Sequence, residues 1–369
     1  MNRRGVSADG TDIQFAEGCG VSTKETLTEQ ERYEQADLPF YEKHIAPVLP
    51  AEVLDFHAHA WTSHHWKEIP WEKGQPGAAY MVTQTDYSAE HLIADGRRLF
   101  PGRSYKAVCF GNPTPAADLG RTNDYACEIG RMAGMFPLIV VGKGIVQREE
   151  ILRRLRQERI FGYKIHLNWF GDNYAGVGVE DMIGPGEMEI ADEQRLIVML
   201  HVPGAGRLAD PKVQKGVQEL SRSYPNAQIV LAHCGRCYLP DEMRDAIGAI
   251  ADLENVWMDT SMVMDPMVLE TAFKAIGSRR VLFATDLPVA MMRGRRVYVM
   301  DHWVDLVLPA QPESNYRVQS GDMRATFMAY EIVLAVRRAA EQARLSEAEL
   351  RGVFHDNGMA LIERVKNRQ

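Results

Sequence analysis

From residue 52 onward, short apolar runs of strand length alternate with longer stretches whose apolar residues recur at helical spacing. The runs are EVLDF (52–56), YKAVCF (105–110), PLIVV (137–141), FGYKIHL (161–167), LIVML (196–200), QIVLA (228–232), NVWMD (255–259) and VLFAT (281–285). Most are continuous rather than alternating, the pattern of strands covered on both faces of a parallel sheet. Helices are expected between them over 87–99, 122–134, 147–158, 211–223, 240–251 and 266–276. Eight strands with intervening helices predict an α/β fold, a (β/α)8 TIM barrel.

The flanks have a different texture. Residues 1–21 are polar and glycine-rich, and 22–49 read as helical, with Ser22 or Thr23 as the cap, an interruption at Pro39 and a stop at Pro47. Stretches 294–307, 320–341 and 346–366 read as C-terminal helices. The expected organisation is an N-terminal extension over 1–49, packed on the barrel or a partner subunit, followed by a barrel domain over 50–369 with a helical tail. The long irregular segment 60–86, rich in Trp, His and Pro, is where function concentrates in such folds.

Composition narrows the classes of function. With 46% hydrophobic and 25% charged residues in 369, the chain is globular, and a formal charge of −8 offers no field for a nucleic acid or an anionic membrane. No segment reaches the length of apolar residues needed to span a bilayer. Five cysteines are too sparse for a stapled secreted scaffold and favour a reducing, cytoplasmic setting.

The chemistry gathers at strand ends. In LDFHAHAW, His57 and His59 lie at positions i and i+2, so their imidazoles point the same way from Cβ atoms about 7 Å apart, close enough to share a metal at ~2.0–2.1 Å. LIVMLHVPG ends in His201, QIVLAHCGR in His233 and VLFATDLP in Asp286. These spacings assign the five residues to strands one, five, six and eight, whose carboxyl ends open on one face of a barrel, where active sites sit.

These motifs, with the late segment FHDNGMALI (354–362), resemble the amidohydrolase superfamily over roughly 52–360, specifically the branch that includes aminocarboxymuconate-semialdehyde decarboxylase-like proteins. The resemblance implies His57, His59, His201 and Asp286 as ligands of one divalent metal, usually zinc. It implies His233 as a catalytic acid/base or as a ligand of a second metal. Three imidazoles and a carboxylate suit zinc, with manganese or iron able to share the site. Asp286 can take a proton from water while touching the metal, and His233 can polarise the substrate or protonate a leaving group. The expected activity is metal-dependent hydrolysis of an amide, ester or lactone in a small carboxylate-bearing molecule. A non-oxidative decarboxylase or hydratase with the same site is the alternative, and a non-catalytic binding barrel the second.

Further residues carry open alternatives. Lys164 is either a carboxylated lysine bridging two metals or an ordinary pocket lysine. His166 and Trp169, after strand four, are expected beside the substrate. Arg293, Arg295 and Arg296 in MMRGRR, with Arg207, either fork a substrate carboxylate or belong to solvated basic segments. Trp61, His64, His65 and Trp66 either wall the pocket or pin their loop. The Cys234–Cys237 pair lacks the second pair that a structural zinc would need. A homodimer is expected, with the extension and the tail as its contact elements.

Overall fold

The computed structural model describes residues 28–69, 84–157, 159–170, 174–300, 302–308 and 325–367. Eight parallel strands follow one another in chain order: β1 (Glu52–His59), β2 (Ser104–Phe110), β3 (Met135–Val140), β4 (Gly162–Ile165), β5 (Ile197–Leu200), β6 (Gln228–Leu231), β7 (Val256–Asp259) and β8 (Val281–Leu282). The sheet closes on itself, because Phe56 N–H donates to Phe283 O at 2.9 Å, Asp286 N–H to His57 O at 2.8 Å and His59 N–H to Leu287 O at 2.8 Å. This is the (β/α)8 TIM barrel, with crossover helices such as Ala89–Leu99, Leu119–Ile129, Pro211–Ser223 and Pro266–Ile276 around it. The continuous apolar character of the strands follows, since inner and outer faces are both covered: β3, β4, β5, β6 and β7 are buried throughout.

The N-terminal helical segment runs from Glu29 to Ile45, capped by Thr28 with Glu31 as its reciprocal partner. It does not break at Pro39. Instead it widens into π-helical turns at Tyr33–Asp37 and Tyr41–Ile45, which accommodates a ring that would clash with the preceding turn of a regular helix. Ser22, Thr23 and the polar stretch 1–21 lie outside the described residues, as do 70–83 of the long loop and 320–324 of the tail.

The helix expected over 294–307 is not formed. Arg293–Val299 and His302–Leu308, β9 and β10, make an antiparallel hairpin in register from Arg293↔Leu308 to Val299↔His302. The β-branched and aromatic content of RGRRVYV and HWVDLVL favours the paired strands over a helix. Gly294, at φ 147°, allows the close pairing: a Cβ there would come 1.9 Å from Leu306 O.

The tail is helical over Met328–Ala343 and again from Glu347 to Lys366. Its NGM signature has a mechanical meaning. Asn357 Nδ2 donates to Ser278 O and Val281 O, and a Cβ on Gly358 would lie 2.7 Å from Leu54 and 2.9 Å from Phe56. The last helix is thereby seated directly against β1. Among the described residues no helix is long and apolar enough to cross a membrane.

Candidate metal centre and active site

The pairing register of β1 with β2 shifts between Asp55 and Ala58, an irregularity that re-aims the side chains around it. His57 and His59 there have ring centroids 5.7 Å apart. His59 Nε2 lies 3.1 Å from Asp286 Oδ1, and His57 Nε2 lies 3.5 Å from the same oxygen and 3.0 Å from Lys164 Nζ. The other nitrogen, His57 Nδ1, meets Asp259 Oδ2 at 2.9 Å. One ligand atom from each of His57, His59 and Asp286 falls within 4.8 Å of the others, and the same holds for His57, His233 and Asp259.

His201 follows β5 and stacks on His166 at 4.3 Å, with the His233 ring edge-on at 5.0 Å. Its Nδ1 is buried, and neither ring nitrogen has a hydrogen-bond partner among the described residues. Buried polar atoms are normally satisfied, so an unbonded imidazole among imidazoles and an ionised carboxylate fits the demands of a divalent ion. The two groupings differ in this respect. Asp259 is already saturated by protein donors, accepting from His233 N–H at 2.9 Å, from Ser261 N–H at 3.1 Å and from the Ser261 hydroxyl. The grouping of His57, His59 and Asp286 keeps more of its ligand atoms free for an ion than the grouping through Asp259 does.

Backbone conformation at the strand ends is unusual. Asp286 has φ 72°, and His233, Cys234, Gly235 and Arg236 form a consecutive left-handed turn with φ 54°, 50°, 68° and 60°. L-residues adopt this region at a cost of roughly 1–2 kcal/mol each, and such outliers gather where side chains must be aimed.

Burial dominates the electrostatics. It pushes His57, His166 and His201 well below the usual histidine range and lowers His59 and His233, so the imidazoles are neutral near pH 7. Burial also lowers Lys164 to about 8, against the opposing charges of Asp259 and Asp286. Burial alone would raise Asp286, but the hydrogen bond with His59 and the charges of His57 and His233 bring it to about 2, so it is ionised.

The structure gives several of the expected substrate residues other partners. Arg293 is bound to the N-terminal helical segment, with Nε 3.1 Å from Asp37 Oδ2 and an outer nitrogen 2.8 Å from Glu29 Oε2. Arg207 is paired with Glu242 and lies over the Tyr238 ring. Arg295 donates to Met264 O at 3.3 Å and sits 3.5 Å from Glu331, while Arg296 forks Asp305 at 2.8 and 2.9 Å between the Trp303 and Tyr238 rings. Arg295, Arg296, Tyr238, Met262, Met264 and Trp303 line a cleft of about 120 Å3. The Tyr238 ring is 6.2 Å from that of His233. His166 accepts from Asn168 N–H at 3.1 Å, and the buried Trp169 Nε1 has no partner among the described residues. Trp61 and Trp66 donate to Gln84 O and Thr85 O, His65 packs on Tyr125, and His64 O accepts from Arg121, so these residues pin their loop. Cys234 and Cys237 are buried, unbridged, and pushed by burial well above the usual thiol range.

Three residues of the site escape the sequence reading. Asp259 closes NVWMD, and the strand-end rule that selects His201 selects it equally. Ser261, two residues on, has no sequence signal. Arg236, on the left-handed turn, donates to Val202 O at 3.0 Å and has no carboxylate partner among the described residues.

Residues 54–363 match the model of the amidohydrolase family, and the chain belongs to that family. No curated protein matches it. Among solved structures it is similar to an amidohydrolase from Burkholderia multivorans with bound HEPES, at 16% identity over 85% of this chain and 99% of that one, with a TM-score of 0.55; another crystal form of that protein holds zinc. It is also similar to 4-oxalomesaconate hydratase from Rhodopseudomonas palustris (15% identity, 85% and 96% covered, TM-score 0.54). A third is 2,6-dihydroxybenzoate decarboxylase complexed with 2,6-dihydroxybenzoate (12%, 85% and 100%, TM-score 0.50). Such likeness establishes a shared fold, on which different reactions are carried out.

Proposed function

We propose that this chain is a metal-dependent hydrolase that uses a metal-activated water on a small, carboxylate-bearing amide, ester or lactone. The observation that carries the reading is the buried grouping of His57, His59 and the ionised Asp286, with His201, whose buried Nδ1 has no hydrogen-bond partner among the described residues, joined to it through the His233 ring. His57, His59, His201 and Asp286 would hold one divalent ion, zinc before manganese or iron. Such an ion lowers the pKa of water toward neutrality and polarises a carbonyl.

The remaining work falls to the side chains. Asp286, ionised and facing both β1 histidines, takes the proton of the attacking water. His233, held between Ser261 and the His57 ring, is the second proton-transfer group. His166 stacks on His201 from the end of β4, Trp169 follows it as the expected substrate contact, and the cleft beneath Tyr238 and Trp303 takes the body of the substrate. With Arg207 and Arg293 occupied, Arg236, which donates to Val202 O and has no carboxylate partner among the described residues, is our candidate for a substrate carboxylate, beside Arg295. The buried, unbridged cysteines support a reducing cytoplasm, and sedimentation velocity tests the homodimer.

The deciding experiment measures metal per chain by plasma mass spectrometry on protein purified without chelator, beside the His57→Ala/His59→Ala double variant. A panel of amides, esters and lactones is then followed for 18O uptake from water. One metal in the parent, none in the variant and 18O in a cleaved product is the expected result. Carbon dioxide release, or hydration without bond cleavage, would replace hydrolysis with the lyase reaction; no metal in either protein would overturn both.

A further inference from the structure

We propose that Asp259 is a positioning residue that sets the tautomers of two site histidines at once, leaving the Nε2 lone pairs of both His57 and His233 free. The inference rests on the metal-site reading above and adds which nitrogen of each ring is available. It follows from donor accounting. His57 Nδ1 lies 2.9 Å from Asp259 Oδ2, and a carboxylate only accepts, so the proton is on Nδ1. His57 Nε2 then carries a lone pair, and its neighbour at 3.0 Å is Lys164 Nζ, which only donates. These two contacts, at hydrogen-bond distance, require the same tautomer and outweigh Asp286 Oδ1, which stands farther off at 3.5 Å from Nε2.

Ser261 extends the arrangement to His233. Its hydroxyl has one proton, directed at Asp259 Oδ1, so the oxygen presents lone pairs to other donors. His233 Nδ1 lies 2.8 Å from that oxygen and 3.1 Å from Ser261 O, a carbonyl that only accepts. The His233 proton is therefore on Nδ1 as well. Asp259 also accepts from the backbone N–H of His233 at 2.9 Å, fixing the first residue of the left-handed turn from which the imidazole projects. One fully buried carboxylate at the end of β7 thus reaches β1 and the turn after β6, and the Ser261 hydroxyl it orients spans the same two rings, with His57 Nδ1 at 3.2 Å and His233 Nδ1 at 2.8 Å. The consequence for chemistry is that neutral His233 meets a ligand at Nε2 as an acceptor. It can take up a proton before it can deliver one.

The test needs no substrate. Nitrogen-15 histidine spectra of the metal-free full chain, assigned with His57→Gln and His233→Gln variants, should show both rings as Nδ1–H tautomers; an Nε2–H tautomer at either ring would overturn the proposal. Asp259→Asn presents an amide N–H to one of these contacts, and the zinc affinity by chelator competition should fall about 10- to 100-fold, the usual effect of losing a carboxylate behind a ligating histidine. Asp259→Glu should recover part of it. Ser261→Ala should keep zinc affinity within about twofold and, because the backbone carbonyl of residue 261 still accepts from His233 Nδ1, should leave that ring as the Nδ1–H tautomer. Unchanged affinity in Asp259→Asn, with a native circular dichroism spectrum, would refute the role. If no hydrolysis is ever found while zinc affinity and tautomers respond as stated, the reaction assignment fails and this inference stands.

Discussion

Replacing Arg293 by methionine tests how the N-terminal helical segment is held. Arg293 is 8% exposed, and its partner Asp37 is 0% exposed. Burial raises Asp37, opposed by hydrogen bonding and charge from Arg293 and, less, by the charge of Arg98, so the carboxylate leans chiefly on the Arg293 guanidinium for its ionised state. The second partner, Glu29, is 59% exposed and retains Arg98 at 3.2 Å. Removing one side of a buried pair leaves an uncompensated charge and costs about 3–5 kcal/mol, whereas an exposed pair contributes at most about 1 kcal/mol. Arg293→Met should therefore destabilise by about 3–5 kcal/mol and Glu29→Gln by under about 1 kcal/mol. The Arg293→Met/Asp37→Leu double variant, which buries apolar groups where the pair stood, should regain most of the loss. Urea unfolding of the four proteins at one pH, followed by tryptophan fluorescence, gives the numbers, and zinc content should be equal in all. An Arg293→Met variant within about 1 kcal/mol of the parent would refute the accounting, as would a double variant no more stable than the single one.

Asp286→Asn should lower kcat by about 10²- to 10⁴-fold, the range for a lost proton acceptor, once a substrate is in hand, with the fold unchanged by circular dichroism. Arg236→Met should raise KM for a carboxylate substrate at least about tenfold and leave its methyl ester unaffected, measured with zinc content held equal. His65 is buried and lowered to about 4, so between pH 6.5 and 4 the unfolded chain binds a proton that the folded chain does not; stability falls as pH drops through that window, by on the order of 2–3 kcal/mol from this group. His65→Asn, which keeps an acceptor for Thr62 N–H, should flatten that part of the stability–pH curve in urea unfolding at pH 7 and 5. Gly358→Val should cost about 1–3 kcal/mol or more by the same assay, because its side chain enters space held by Leu54 and Phe56.

The barrel is readable in the sequence because strands covered on both faces must be apolar throughout, and runs such as LIVML and QIVLA state this directly. The strand-end residues are readable for a related reason: once eight strands are placed, geometry brings His57, His201, His233 and Asp286 to one face. Asp259 obeys the same rule but does not stand out in the sequence, since a carboxylate that ends a strand looks like any helix cap. The hairpin over 293–308 is not legible as one because the pairing that decides its structure lies across the turn, between residues far from one another in the run. Arg293 looked free because its carboxylate, Asp37, stands 256 positions earlier in the chain. Local pattern carries secondary structure and strand ends, but not which distant charge an arginine meets.

The left-handed turn at His233–Arg236 has a bearing on how such a protein changes over generations or in a directed-evolution experiment. Three of its four residues carry a Cβ in a conformation that glycine adopts freely, so glycine at Cys234 or Arg236 offers relief of roughly 1–2 kcal/mol apiece. Selection for heat tolerance alone would drift toward those substitutions, and each would slacken the segment that aims His233. Among variants recovered without a demand for turnover, glycines should accumulate there; with that demand imposed, the strained turn should persist and stabilising changes should appear elsewhere.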